Sequence, residues 1–124
     1  MTSLIKDIDR DFLNNYYKEM VNEIGDIFHL FIEEIPEDLI NVKHLIADNK
    51  YTQASEILHK IAPSFYNVGL PFLTAKIQPI ETHISEKKYT EAFDEILIFE
   101  EDLKSYMPAL KMEWERLKAL EING

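Results

Sequence analysis

Apolar residues recur along this chain at spacings of three and four, the periodicity of a helix with one buried face. The first such segment runs from about Ile8 to Ile24 and places Ile8, Phe12, Leu13, Tyr16, Met20 and Ile24 on one stripe, with Gly25-Asp26 as a candidate break. A second stripe follows in Ile27, Phe28, Phe31, Ile32, Ile35, Leu39, Val42, Leu45 and Ile46, with Pro36 inside it and Asp48-Asn49-Lys50 as the turn that ends it. Proline within a helix removes a hydrogen bond and kinks the rod, so a bend is expected at Pro36. The third segment, with Thr52 expected as its N-cap, carries Ala54, Ile57, Leu58, Ile61, Phe65 and Val68 and closes at Gly69. Pro71 suits the first turn of a fourth helix through Leu73, Ile77, Ile80 and Ile84. After Ser85-Glu86-Lys87-Lys88, Thr90 is expected to cap a long last helix bearing Phe93, Ile96, Leu97, Leu103, Met107, Leu110, Trp114 and Leu117, kinked at Pro108.

No alternating run flanked by Asn-Gly or Asp-Gly argues for a strand, and no repeat or linker divides the chain. The fold class is therefore all-α. Short connections favour antiparallel neighbours, so the expected architecture is an antiparallel up-and-down four-helix bundle with an additional N-terminal helical segment, a single domain over residues 1–124.

Bulk chemistry narrows the function. With 46% hydrophobic residues the chain can bury a core, yet no run reaches the roughly 20 apolar residues of a membrane span. The N-terminus lacks the basic flank and apolar stretch of a signal peptide, so a cytoplasmic location is expected. A net charge of −10 repels phosphate backbones and disfavours nucleic acid as a partner. The absence of cysteine excludes disulfides, thiolate metal sites and cysteine nucleophiles.

Among four histidines, His59 stands apart. At 100° per residue it flanks the buried stripe of Ile57, Leu58, Ile61 and Phe65, and Ser55, Glu56, Ala62 and Pro63 share its face. Lys60 lies about 100° round the helix. Ser55, Ala62 and Pro63 are compact, which suits close docking, and Pro63 has no N–H for the carbonyl of His59, so a bend is expected one turn beyond the histidine. Glu56 and His59 also form a Glu-x-x-His pair, the spacing di-metal bundles use; such a site needs a second copy, and Asp26-x-x-His29 is the nearest approximation. That leaves a metal-binding bundle enzyme as a remote alternative. His29, His44 and His83 are expected at surface or boundary positions, and the acidic runs as solvated faces. No glycine-rich phosphate loop or nucleophile elbow is present.

The stretches Leu58-His59-Lys60-Ile61, Pro63-Ser64-Phe65 and Val68-Gly69-Leu70, together with Phe31-Ile32-Glu33-Glu34-Ile35-Pro36-Glu37-Asp38-Leu39 before them, resemble the signature of histidine-containing phosphotransfer (HPt) domains. Leu73 and Ile80-Glu81 fall where that family has its next helix, so the likeness spans roughly Phe28 to Glu81. It departs at Ala62 and Pro63, where the family typically carries Lys and Gly; Lys43, His44 and Lys76 are candidates to replace the missing cation. The resemblance implies a monomeric phosphorelay intermediate that is not itself an enzyme, with His59 as phospho-acceptor. Ser55, Glu56, Lys60, Ala62, Pro63, Asn67 and Gly69 would lie at or near the partner contact. Its partners would be response-regulator receiver domains and a hybrid histidine kinase. It would need no metal or cofactor of its own, Mg²⁺ belonging to the receiver. A degenerate HPt-like module that binds receivers or kinases without carrying phosphate is the alternative.

Overall fold

The structure, a computed structural model, describes residues 6–19 and 23–123. Five α-helices follow in order: α1 (Arg10–Glu19), α2 (Ile24–Ala47), α3 (Tyr51–Ile61), α4 (Pro71–Ser85) and α5 (Tyr89–Asn123), with a 3₁₀ segment, Ala62–Val68, between α3 and α4. Among the described residues there is no strand. The expected core position Met20, the Tyr16 side chain and the first residues of the chain lie outside what the structure describes.

Apolar spacing dictates which face each helix buries. On α2 the buried residues include Phe28, Phe31, Ile35, Leu39, Val42 and Ile46, and on α4 they are Leu73, Ile77, Ile80 and Ile84. On α3 and the 3₁₀ segment Ala54, Leu58, Ile61, Phe65 and Val68 are sealed from solvent. α2 packs against α3 and α5, and α4 packs against α3 and α5, so these helices share one hydrophobic core. Phe65 is its aromatic centre: it meets Phe31 of α2 and Phe99 of α5 edge-on, with ring centroids 5.2 and 5.4 Å away. α1 packs on the 3₁₀ segment.

Several element boundaries differ from the expected ones. The break after α1 falls before Ile24, and Gly25 is buried in the first turn of α2. Pro36 and Pro108 are accommodated inside continuous helices. Thr52 and Thr90 are not caps, because the helices begin at Tyr51 and Tyr89. The turn before α3 is instead built on the backbone: Asn49 adopts a left-handed φ of 63° and the Lys50 amide donates to the Leu45 carbonyl at 2.7 Å. The turn before α5 repeats the device with Lys87 at φ 63° and the Lys88 amide on the His83 carbonyl at 2.7 Å. On α5, Leu97 is exposed and Phe99 takes the core position.

The third segment changes character at its centre. Pro63 has no amide hydrogen to continue the i→i−4 ladder, and the chain tightens into 3₁₀ geometry from Ala62 onward. Gly69 then closes the segment at φ 79°, with the Leu70 amide donating to Phe65 O at 2.8 Å. The bend expected after His59 is thus a change of helix type.

Candidate functional site

His59 occupies the last turn of α3, and the residues around it explain its direction. Leu58 and Ile61 are buried in the core, which turns the imidazole outward, and its side chain is 87% exposed. The backbone immediately beyond is tied to α4, where the Thr74 hydroxyl donates to the Ala62 carbonyl at 2.8 Å. The histidine therefore stands at a junction fixed by burial on one side and by an interhelical hydrogen bond on the other.

From α4, Glu81 reaches the same place. Its Oε1 lies 3.6 Å from His59 Nδ1, too long for a direct hydrogen bond. Among the described residues no lysine or arginine pairs with Glu81. The three candidate replacement cations do not pair with this site. Lys43 is bound to Glu100 of α5 at 2.8 Å, Lys76 is bound to Asp102 of α5 at 2.8 Å, and His44 is exposed in the last turn of α2. Lys6 shares Asp102 at 3.0 Å, and the two lysines hold that carboxyl below the usual carboxylate range.

The expected docking residues divide. Glu56, Lys60 and Pro63 are exposed, and Ser55 and Ala62 are half-buried. Helix geometry puts all of these except Lys60 on the face of His59. Asn67 lies further on; with Ser64 it lines a cleft of about 210 Å³ against Ile27, Leu30, Phe31, Glu34 and Ile35 of α2. Gly69 does not belong to this face. It is buried beneath the chain entering α1, where the Asp9 amide donates to its carbonyl at 2.7 Å and Ile8 and Leu13 cover its α-carbon.

Two of the other histidines are engaged elsewhere. His29 stacks on Trp114 with centroids 4.7 Å apart and contacts Glu33 at 2.7 Å, while His83 of α4 contacts Glu95 of α5. Among the described residues no group of three or more His, Asp or Glu is arranged to hold a metal ion, so Glu56 and His59 remain a pair.

One polar cluster escaped the sequence reading. Glu113 of α5 is 1% exposed and accepts hydrogen bonds from Arg10 of α1 at 3.0 Å, from Arg116 at 2.6 and 2.9 Å, and from the Tyr17 hydroxyl. Burial by itself pushes this carboxyl up; the bonds from Arg116, Tyr17 and Arg10 outweigh it and bring the pKa down to about 2. Burial and the same carboxylate push the Tyr17 phenol up, and Glu113 holds the Arg116 guanidinium more firmly protonated. The cluster is saturated with its own hydrogen bonds and clamps α1 to α5. Its signal was present: Glu113 falls on the apolar stripe, three residues after Leu110 and four before Leu117.

No family model, curated protein or solved structure matches the chain. Among the described residues no helix is long and apolar enough to cross a membrane.

Proposed function

We propose that this protein is a phosphocarrier of the HPt type, an antiparallel up-and-down four-helix bundle of α2 to α5 with α1 added at its N-terminal side, acting as a monomer in the cytoplasm. The observation that carries the reading is the presentation of His59: an imidazole 87% exposed on a helix whose neighbouring residues Leu58 and Ile61 are buried. Phosphoryl transfer between proteins demands little of the carrier beyond a positioned nucleophile with open access, because charge stabilisation and positioning supply most of the catalysis.

In the proposed step, Glu81 beside Nδ1 favours the tautomer that keeps the proton there, leaving the lone pair on Nε2. Nε2 attacks the phosphorus of a receiver's aspartyl phosphate, the P–O bond to the aspartate breaks, and the carboxylate is released. The reverse reaction loads a second receiver. Ser55, Ala62 and Pro63 keep the surroundings of the ring compact, and Glu56, Lys60 and Asn67 sit at the margin of the docking face. The bundle contributes no general acid or base. Mg²⁺ is the receiver's, and a hybrid histidine kinase is the source of phosphate upstream.

One observation favours a second reading, a receiver- or kinase-binding module that carries no phosphate. Position 62 is alanine, and Lys43 and Lys76 are committed to Glu100 and Asp102. The deciding experiment is phosphotransfer from a panel of phosphorylated receiver domains to wild type and to His59→Gln. Label on wild type alone supports the carrier. Binding to a receiver without label on either protein supports the second reading.

A further inference from the structure

Resting on the phosphocarrier reading, we propose that His59 is built to release its phosphoryl group rather than to store it, with Glu81 as the positioning residue that makes it labile. Two observations combine. Glu81 Oε1 lies 3.6 Å from Nδ1, and Lys43 and Lys76 are paired with carboxylates of α5 at 2.8 Å each.

Consider the phosphorylated ring. After transfer, phosphorus is bound to Nε2 and the proton remains on Nδ1, so the imidazole ring carries a positive charge beside the Glu81 carboxylate. When an acceptor carboxylate or a water attacks phosphorus, the P–Nε2 bond breaks and its electron pair returns to Nε2. With Nδ1 protonated, the ring leaves as neutral imidazole. Without that proton it would have to leave as imidazolate, a far poorer leaving group. Glu81 therefore sustains the reactive protonation state.

The phosphoryl oxygens meet the opposite situation. The carboxylate beside the ring is Glu81, and position 62, one helical turn from His59, is alanine and supplies no ammonium. Lys60 projects about 100° away. The added charge of about −2 is consequently left to cations of the acceptor, and the equilibrium lies toward the acceptor.

The groups that face His59 define what a test must separate. On its own helix Glu56 lies one turn before it and Lys60 about 100° round; on α4 the group is Glu81. On α2, Lys43 is turned to Glu100, and on α4, Lys76 and His83 are turned to Asp102 and Glu95.

The test is the lifetime of phosphate on residue 59 after chemical phosphorylation with phosphoramidate, which needs no cognate receiver. It compares wild type, Glu81→Gln and Ala62→Lys, with His59→Gln correcting for label on other histidines. Both variants are expected to hold phosphate about threefold to tenfold longer than wild type. The pH above which decay slows should be lower in Glu81→Gln than in wild type, since removing the carboxylate lets the phosphorylated ring lose its proton sooner; a purely structural role would not shift this profile. Equal lifetimes and superimposed pH profiles in labelled proteins would overturn the inference and leave the carrier reading intact. Absence of label at residue 59 in all three would overturn both. The two substitutions lie on different elements, so misfolding of one leaves the other decisive.

Discussion

Gly69 and Leu13 approach so closely that no side chain fits between them: a Cβ built on Gly69 would stand 2.7 Å from Leu13 Cδ1 and 3.1 Å from Ile8 Cβ. Gly69 also holds φ at 79°, a left-handed conformation that costs an L-residue about 1–2 kcal/mol. Gly69→Ala is therefore expected to lower stability by about 1–3 kcal/mol, combining backbone strain with displacement of α1. Urea unfolding monitored by circular dichroism checks this. An unchanged midpoint would mean that the α1 contact yields without cost.

Glu113 gives a pH-dependent prediction. Its pKa in the folded chain, about 2, lies below the ordinary 4.5, so the folded state favours the ionised carboxylate. The stabilisation is fully present above about pH 4.5 and is lost as pH falls through 2, and it amounts to about 3 kcal/mol. Glu113→Gln should lose a similar amount at neutral pH, because Arg10 and Arg116 are left without their buried counter-ion. Between pH 4.5 and 2 the wild-type urea midpoint should fall more steeply than that of Glu113→Gln. Asp102, also held low by Lys76 and Lys6, titrates in both proteins, so the difference isolates Glu113. Parallel curves would remove Glu113 as the acid-sensitive clamp.

What the sequence made legible was the part governed by periodicity. All four stripe residues of α4 are buried, and so are six of the nine on α2, the other three flanking the core. Spacing also placed His59 at the edge of its stripe, and its exposure follows from the burial of Leu58 and Ile61. Features set by tertiary partners were not legible. Gly69 reads as a helix terminator in sequence, and only the position of Ile8 and Leu13 makes it a buried contact. Lys43 and Lys76 looked available to His59 because spacing along one helix does not reveal a carboxylate on another. Glu81 became a site residue only when α4 packed against α3.

The hydroxyl of Thr74 anchors the backbone just beyond His59 through its 2.8 Å bond to the Ala62 carbonyl. Thr74→Val keeps the shape and removes the donor, leaving a carbonyl at the α3 junction unsatisfied, and should cost about 1 kcal/mol. Thr74→Ser keeps the donor and should cost less. If serine destabilises as much as valine, the contribution of Thr74 is its methyl packing and the interhelical hydrogen bond is energetically idle. Urea midpoints of the three proteins settle the order.

His59 itself should be dispensable for folding. Its side chain is 87% exposed, and the Glu81 carboxylate stands 3.6 Å away. Exposed pairs of this kind contribute about 0–1 kcal/mol, and surface substitutions away from caps and networks usually fall within about 0.5 kcal/mol. His59→Gln is accordingly expected to unfold within about 0.5 kcal/mol of wild type, with an unchanged far-ultraviolet spectrum. A loss of about 2 kcal/mol or more would make the histidine a structural element of the α3–α4 seam. Wild-type stability combined with loss of label would separate the chemistry of the ring from the scaffold that presents it.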